Sequence, residues 1–191
     1  MIDPTAVTNY NRTDAELEEF MLFCIAVAGK TAQIIARQLQ VLLDIATGDN
    51  PFDKIRNLIK IGRLDTVLKL ARLGKYHVLM KAYKQILDLN LRTCSLEDLE
   101  KVHGIGPKTA RYFMLHTRPN VQVAALDTHI LKFLKEQGYV VPNHTPTGKK
   151  YKELEQIFIM EATKRGRQIA EFDLAIWNHY SKDGDKTRAN I

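Results

Sequence analysis

Apolar residues recur every three or four positions along almost the whole chain, and no segment alternates in the way that marks a strand. Leu17, Phe20, Met21, Cys24, Ile25 and Ala28 form one stripe, headed by Thr13 as a helix cap with Asp14 and Glu16 in the first turn. After Gly29, the positions Ile34, Ile35, Leu39, Leu42 and Leu43 form the next, which Thr47-Gly48-Asp49-Asn50-Pro51 breaks. Shorter helices fit 52–61, 64–72 and 75–87, with Gly62 and Gly74 as stops. Ser95 and Asp98 have capping-box spacing ahead of Leu96, Leu99 and Val102. Pro107 takes the first position of a helix that runs to about His116 and is ended by Arg118-Pro119-Asn120. Three more helices fit 127–137, 149–164 and about 168–181, and the charged tail from Lys182 is expected to fray. The pattern predicts an all-α protein.

Composition narrows the class. At 191 residues, 45% hydrophobic and 26% charged, the chain is long enough for a real core and ordinary for a globular protein of one domain or two small ones. It has no apolar run long enough to span a bilayer, and its start lacks the regions of a signal peptide, so an intracellular location is expected. Cys24 and Cys94 are too few for a disulfide framework, and both are read as reduced, packed thiols. A net charge of +6 suits a polyanionic partner without proving one.

The candidate chemistry lies between Val102 and Leu131. Gly104-Ile105-Gly106-Pro107-Lys108-Thr109-Ala110 follows one short helix and starts another, and Asp127-Thr128-His129 comes nineteen positions after the lysine. Glycines in such a hairpin admit conformations that side chains forbid, and the second helix begins with amides free to meet a phosphate. At the positive end of the helix dipole a cation is disfavoured, which leaves Lys108 as a candidate nucleophilic amine. A carboxylate such as Asp127 can help deprotonate a lysine and stabilise positive charge that develops beside it.

Val102-His103-Gly104-Ile105-Gly106-Pro107-Lys108-Thr109-Ala110 with the downstream Asp127 resembles the helix-hairpin-helix DNA glycosylase superfamily. His103 stands where many members have proline. The resemblance implies that Lys108 attacks C1′ of a damaged nucleotide, displaces the base and forms a Schiff base that permits strand cleavage by β-elimination. It further implies DNA contacts from Gly104, Gly106 and Thr109, a phosphate contact from His129, and a sodium or potassium ion held by the backbone carbonyls of Glu100, Val102 and Ile105. No cofactor is required, and the four clustered cysteines of the iron–sulfur branches are absent.

Tyr112 lies one helical turn after Lys108, and Trp177, the only tryptophan, sits in Phe172-Asp173-Leu174-Ala175-Ile176-Trp177. The arrangement is similar to that of 8-oxoguanine glycosylases, the archaeal AGOG type above all, where two such residues stack on the oxidised guanine. In those enzymes a polar residue one turn before the aromatic matched by Trp177 binds the base edge, so the resemblance implies that Asp173 accepts from the N1–H and 2-amino edge of the guanine. Ala28-Gly29-Lys30-Thr31-Ala32-Gln33 lies where the family places a turn that fills the space left by the flipped base, which implies Lys30 at the DNA and Gln33 toward the base; the equal alternative is that Gly29 only ends a helix and Lys30 is solvated. Gly29-Lys30-Thr31 also looks like the end of a phosphate loop, but Cys24 stands where that motif needs glycine. His77, His116, His144 and His179 lack metal-ligand spacing and read as ordinary surface or core residues.

The expected architecture is two helical subdomains, 11–120 with the helix-hairpin-helix at 95–116, and 1–10 plus 121–191, with a DNA-binding cleft between them. The leading function is excision of 8-oxoguanine from DNA with an AP-lyase step, by a monomer. A glycosylase for another damaged or mismatched base, and a non-catalytic hairpin module that only binds DNA, stay open as alternatives.

Overall fold

The computed structural model describes residues 1–181, so the tail from Lys182 lies outside the described residues. Among them are ten helices and no strand: α1 (Asp14–Val27), α2 (Ala32–Ile45), α3 (Pro51–Lys60), α4 (Leu64–Leu70), α5 (Tyr76–Ile86), α6 (Leu96–Glu100), α7 (Pro107–Thr117), α8 (Thr128–Glu136), α9 (Gly148–Lys164) and α10 (Ile169–Tyr180). The local signals explain most of the boundaries. Thr13 accepts from the Glu16 amide while the Glu16 carboxylate accepts from Thr13, a complete capping box, and Ser95 with Asp98 forms a second. Asn50 caps α3, with Pro51 at its first position. Most ends fall within a residue of expectation, and at two of those that shift a residue other than glycine takes the left-handed conformation. Arg72 (φ 58°) stops α4 early, at Leu70, and Lys75 (φ 48°) delays α5 to Tyr76.

The chain divides into two compact units. One is Met1–Val7 with Asn11–Phe113, and the other is Thr8–Tyr10 with the chain from Met114, against an expected division at residues 10 and 120. In the first unit α1 is the central element. Leu17 and every residue from Phe20 to Ala26 are buried, and α2, α3 and α5 pack around it. The Tyr83 hydroxyl, buried in α5, donates to the Leu22 carbonyl of α1 at 3.1 Å, which satisfies the one polar atom that this large side chain takes into the core.

In the second unit α8 and α9 pack on α10. Phe133, Phe158 and Phe172, one from each helix, meet at the centre with ring centroids 5.2–6.4 Å apart. The extended segment before α8 is fixed from α9. The Tyr151 hydroxyl donates to the Ala124 carbonyl at 2.8 Å and accepts from the Leu126 amide at 3.1 Å, and the Glu155 carboxylate accepts from the Ala124 amide at 3.0 Å. Asp127 is the next residue, so its position follows from the packing of α9.

Candidate active site

In the first unit, α6, the turn 101–106 and α7 make a helix-hairpin-helix whose interior holds Leu99, Val102 and Ile105. Arg111 of α7 bonds the Glu100 carboxylate of α6 at 2.6 Å and the Pro107 carbonyl at 3.3 Å, which ties the two helices across the turn. The Ile105 amide closes the turn on the Val102 carbonyl at 3.0 Å. His103 has a use that proline could not serve: its amide donates to the Gln85 side chain at 2.6 Å.

The two hairpin glycines differ. Gly104 has φ +83°, and a Cβ there would lie 2.6 Å from Val78 Cγ1, so its lack of a side chain is a packing requirement. Gly106 has no positive φ, and a Cβ there would meet nothing within 4 Å. Its carbonyl accepts from the Ala110 amide at 3.1 Å, so the space beside it lies at the start of α7, next to the amides of Lys108 and Thr109.

Lys108 is half-buried, and its Nζ stands 4.7 Å from the centre of the Tyr112 ring one turn along α7. Tyr112 in turn packs on Phe20 at 5.9 Å, and the Arg12 guanidinium covers the same phenylalanine at 4.1 Å. Burial pushes the neighbouring Cys24 thiol up to about 12 against the opposing charges of Lys108 and Arg12. The thiol stays protonated and is no rival nucleophile.

Lys30, expected to face DNA, is turned back into its own unit: its amine donates to the Leu73 carbonyl. Lys75 makes the reciprocal bond to the Ala28 carbonyl at 2.7 Å, so two lysines clasp the turns before α2 and α5 together. Burial, with the second ammonium beside it, holds the Lys30 amine below the ordinary lysine range. Gln33 stands half-buried in the first turn of α2.

In the second unit, Asp127 caps α8. One carboxylate oxygen accepts from the His129 and Ile130 amides, each at 2.9 Å, which sets the side chain's direction. The His129 ring lies parallel to Tyr180 with centroids 6.2 Å apart. On α10, Trp177 is half-buried one turn after Asp173. Asp173 is buried and meets Nε2 of His116 at 3.3 Å, while Nδ1 of His116 meets the Thr8 hydroxyl at 2.8 Å. His116 is the satisfied core residue that the sequence allowed, but its pairing with Asp173, 57 residues away, has no local spacing to signal it.

A cavity of about 400 Å³ elsewhere in this unit, lined by Tyr10, Arg118, Arg167 and Gln168 among others, contains none of the expected site residues. Among the described residues no group of three or more His, Cys, Asp or Glu could hold a metal ion, and no helix is long and apolar enough to cross a membrane.

Comparison with known proteins bears on the family and the fold. A curated 8-oxoguanine DNA glycosylase/AP lyase of Picrophilus torridus is 38% identical over 82 residues, which are 41% of this chain and 37% of that protein. The matched region thus spans well under half the length of the curated relative. The crystal structure of Methanocaldococcus jannaschii 8-oxoguanine glycosylase/lyase in complex with 15mer DNA containing 8-oxoguanine is similar, with a TM-score of 0.67 and 25% identity over 92% of this chain and 85% of that one. Tm1821, the 8-oxoguanine DNA glycosylase of Thermotoga maritima, shares the fold at a TM-score of 0.68 and 20% identity, over 91% of this chain and 83% of its own. The family model described as 8-oxoguanine DNA glycosylase matches residues 5–166, most of the chain, and the protein therefore belongs to that helix-hairpin-helix family.

Proposed function

We propose that the protein excises 8-oxoguanine from DNA and cleaves the strand by an AP-lyase step, with Lys108 as nucleophile. The observation that carries this reading is Lys108 itself, half-buried in the first turn of the helix that follows the hairpin, in a chain of the 8-oxoguanine glycosylase family. Its Nζ attacks C1′, the N-glycosidic bond breaks, and the base leaves and takes up a proton. Opening of the sugar ring at C1′–O4′ converts the adduct to a Schiff base. Loss of a C2′ proton then breaks C3′–O3′ and cuts the strand.

Asp127 stabilises the charge that develops on the sugar. With one oxygen fixed by two amides, its carboxylate needs little reorganisation as that charge appears. Tyr112 and Trp177 each offer an aromatic face to the base, and Asp173 accepts from its N1–H and 2-amino edge. Gly106 and Thr109 present the start of α7 to a backbone phosphate, Gly104 gives the turn its shape, and His129 adds a phosphate contact. Gln33 reaches toward the base, and Lys30 braces the turn that carries it. The oxygen-only set offered by the Glu100, Val102 and Ile105 carbonyls suits sodium or potassium rather than a transition metal. Such an ion at the hairpin would offset phosphate charge, and the chemistry itself calls for no cofactor. In this reading the protein acts as a monomer inside the cell, in the cytoplasm or nucleoid.

Borohydride added during turnover of a duplex with one 8-oxoguanine should trap a covalent protein–DNA adduct, and Lys108→Gln should bind that duplex without being trapped. Absence of an adduct with every duplex in a panel of single lesions would refute the Schiff-base mechanism. Base release from another lesion in preference to 8-oxoguanine would move the assignment to that base.

A further inference from the structure

The chain Thr8–His116–Asp173 joins three distant parts of the sequence inside the second unit. The His116 side chain is 0% exposed and that of Asp173 is 8% exposed. The two ring nitrogens have different partners, the Thr8 hydroxyl on Nδ1 at 2.8 Å and the Asp173 Oδ2 on Nε2 at 3.3 Å. A carboxylate only accepts, so Nε2 carries the proton that faces it. In neutral imidazole Nδ1 is then the acceptor, and the Thr8 hydroxyl donates. In that neutral form the chain runs from Thr8 O–H to His116 to Asp173. The Asn9 amide, adjacent to Thr8, donates to the His116 carbonyl at 3.1 Å, so the backbone around the histidine is anchored at the same place.

We propose that His116 is a positioning residue for base recognition: it holds the Asp173 carboxylate as an oriented acceptor and so sets the preference for a purine with a 2-amino group. The inference rests on the reading above in which Asp173 meets the guanine edge. A carboxylate has about four acceptor sites. One bond from His116 on Oδ2 leaves capacity for the N1–H and the amine of the base, and it fixes the plane in which they must approach. An aspartate without that bond could rotate out of the plane in which the base edge must approach.

The test compares single-turnover base release from 8-oxoguanine with that from 8-oxohypoxanthine, which lacks only the exocyclic amine. The wild-type protein should favour 8-oxoguanine by about tenfold or more, the worth of one hydrogen bond to a charged acceptor. Asp173→Asn should bring the ratio near one. His116→Leu and the nearly isosteric Thr8→Val should each lower the ratio by about threefold or more, chiefly through slower release of 8-oxoguanine, while His116→Gln, which restores a donor, should recover part of it. In the Asp173→Asn background Thr8→Val should change nothing further, a non-additivity that a role in packing alone would not produce.

Should His116→Leu fail to fold, Thr8→Val and His116→Gln decide. A wild-type ratio in Thr8→Val beside a collapsed ratio in Asp173→Asn overturns the inference and leaves the reading of Asp173 standing. An unchanged ratio in Asp173→Asn overturns both.

Discussion

The two glycines of the hairpin separate folding from function, and the separation can be measured. Ala at 104 would force a side chain into φ +83° and place its Cβ 2.6 Å from Val78 Cγ1. The backbone strain costs about 1–2 kcal/mol and the overpacking about 1–3 kcal/mol more. The half-buried Val78 can give a little, so a total of about 2–4 kcal/mol is expected, or roughly 4–16 °C in Tm for a chain of this length. Thermal unfolding followed by circular dichroism measures it. Val78→Ala in the Gly104→Ala protein removes the clash and keeps the strained φ, so the double variant should regain about half of the loss.

Gly106→Ala has no clash and no positive φ to pay for, and its Tm should stay within about 2 °C of the wild type. Its methyl group would nevertheless stand at the start of α7, and affinity for duplex DNA should fall by about tenfold if a phosphate approaches there. A Gly104→Ala protein that melts with the wild type, or a double variant that regains nothing, would refute the steric argument. Full DNA affinity in Gly106→Ala would refute the phosphate site.

Three further expectations concern the scaffold. Glu161, with Lys164, Tyr139 and Arg165 as hydrogen-bond partners, has a pKa held down at about 2, chiefly by its bond to Lys164. Its folded value lies below its unfolded one, so the stabilisation is complete above about pH 4.5 and is lost as the pH falls toward 2. Because Lys164 is 55% exposed, the worth of the cluster is discounted to about 1–2 kcal/mol, and Glu161→Gln should flatten the fall in stability between pH 5 and 3 by about that amount in urea titrations. Cys24, with its thiol pushed up to about 12, should resist iodoacetamide at pH 8 in the native protein and react on unfolding, as peptide mapping would show. His103→Pro removes the donor to Gln85 and should cost about 1 kcal/mol in Tm analysis, while the same substitution in a Gln85→Ala protein should cost less.

Much of the fold was legible in the sequence because local signals set it. Helical periodicity located the helices, and Thr13, Ser95 and Pro107 marked starts that depend only on residues a turn away. The errors at Leu70 and Tyr76 came from Arg72 and Lys75, which adopt a conformation that glycine usually supplies. Side-chain pairing over long separations was not legible. Lys30 read as a cation available to DNA, yet the carbonyl it bonds belongs to a residue 43 positions on. Asp173 and His116 were each visible, but only folding brings them within 3.3 Å. In the same way Asp127 was identified by its distance from Lys108, whereas the hold of Tyr151 and Glu155 on the segment before it has no counterpart in local sequence.

The clasp between Lys30 and Leu73 and between Lys75 and Ala28 makes the turns before α2 and α5 a single mechanical piece. Their backbone amides should exchange with solvent together, since opening either turn removes a bond from each. A chimera that replaced one turn alone would lose that turn's own lysine and leave the other turn's carbonyl without its donor. Transplanting the loop before α2 between relatives therefore requires moving both turns at once.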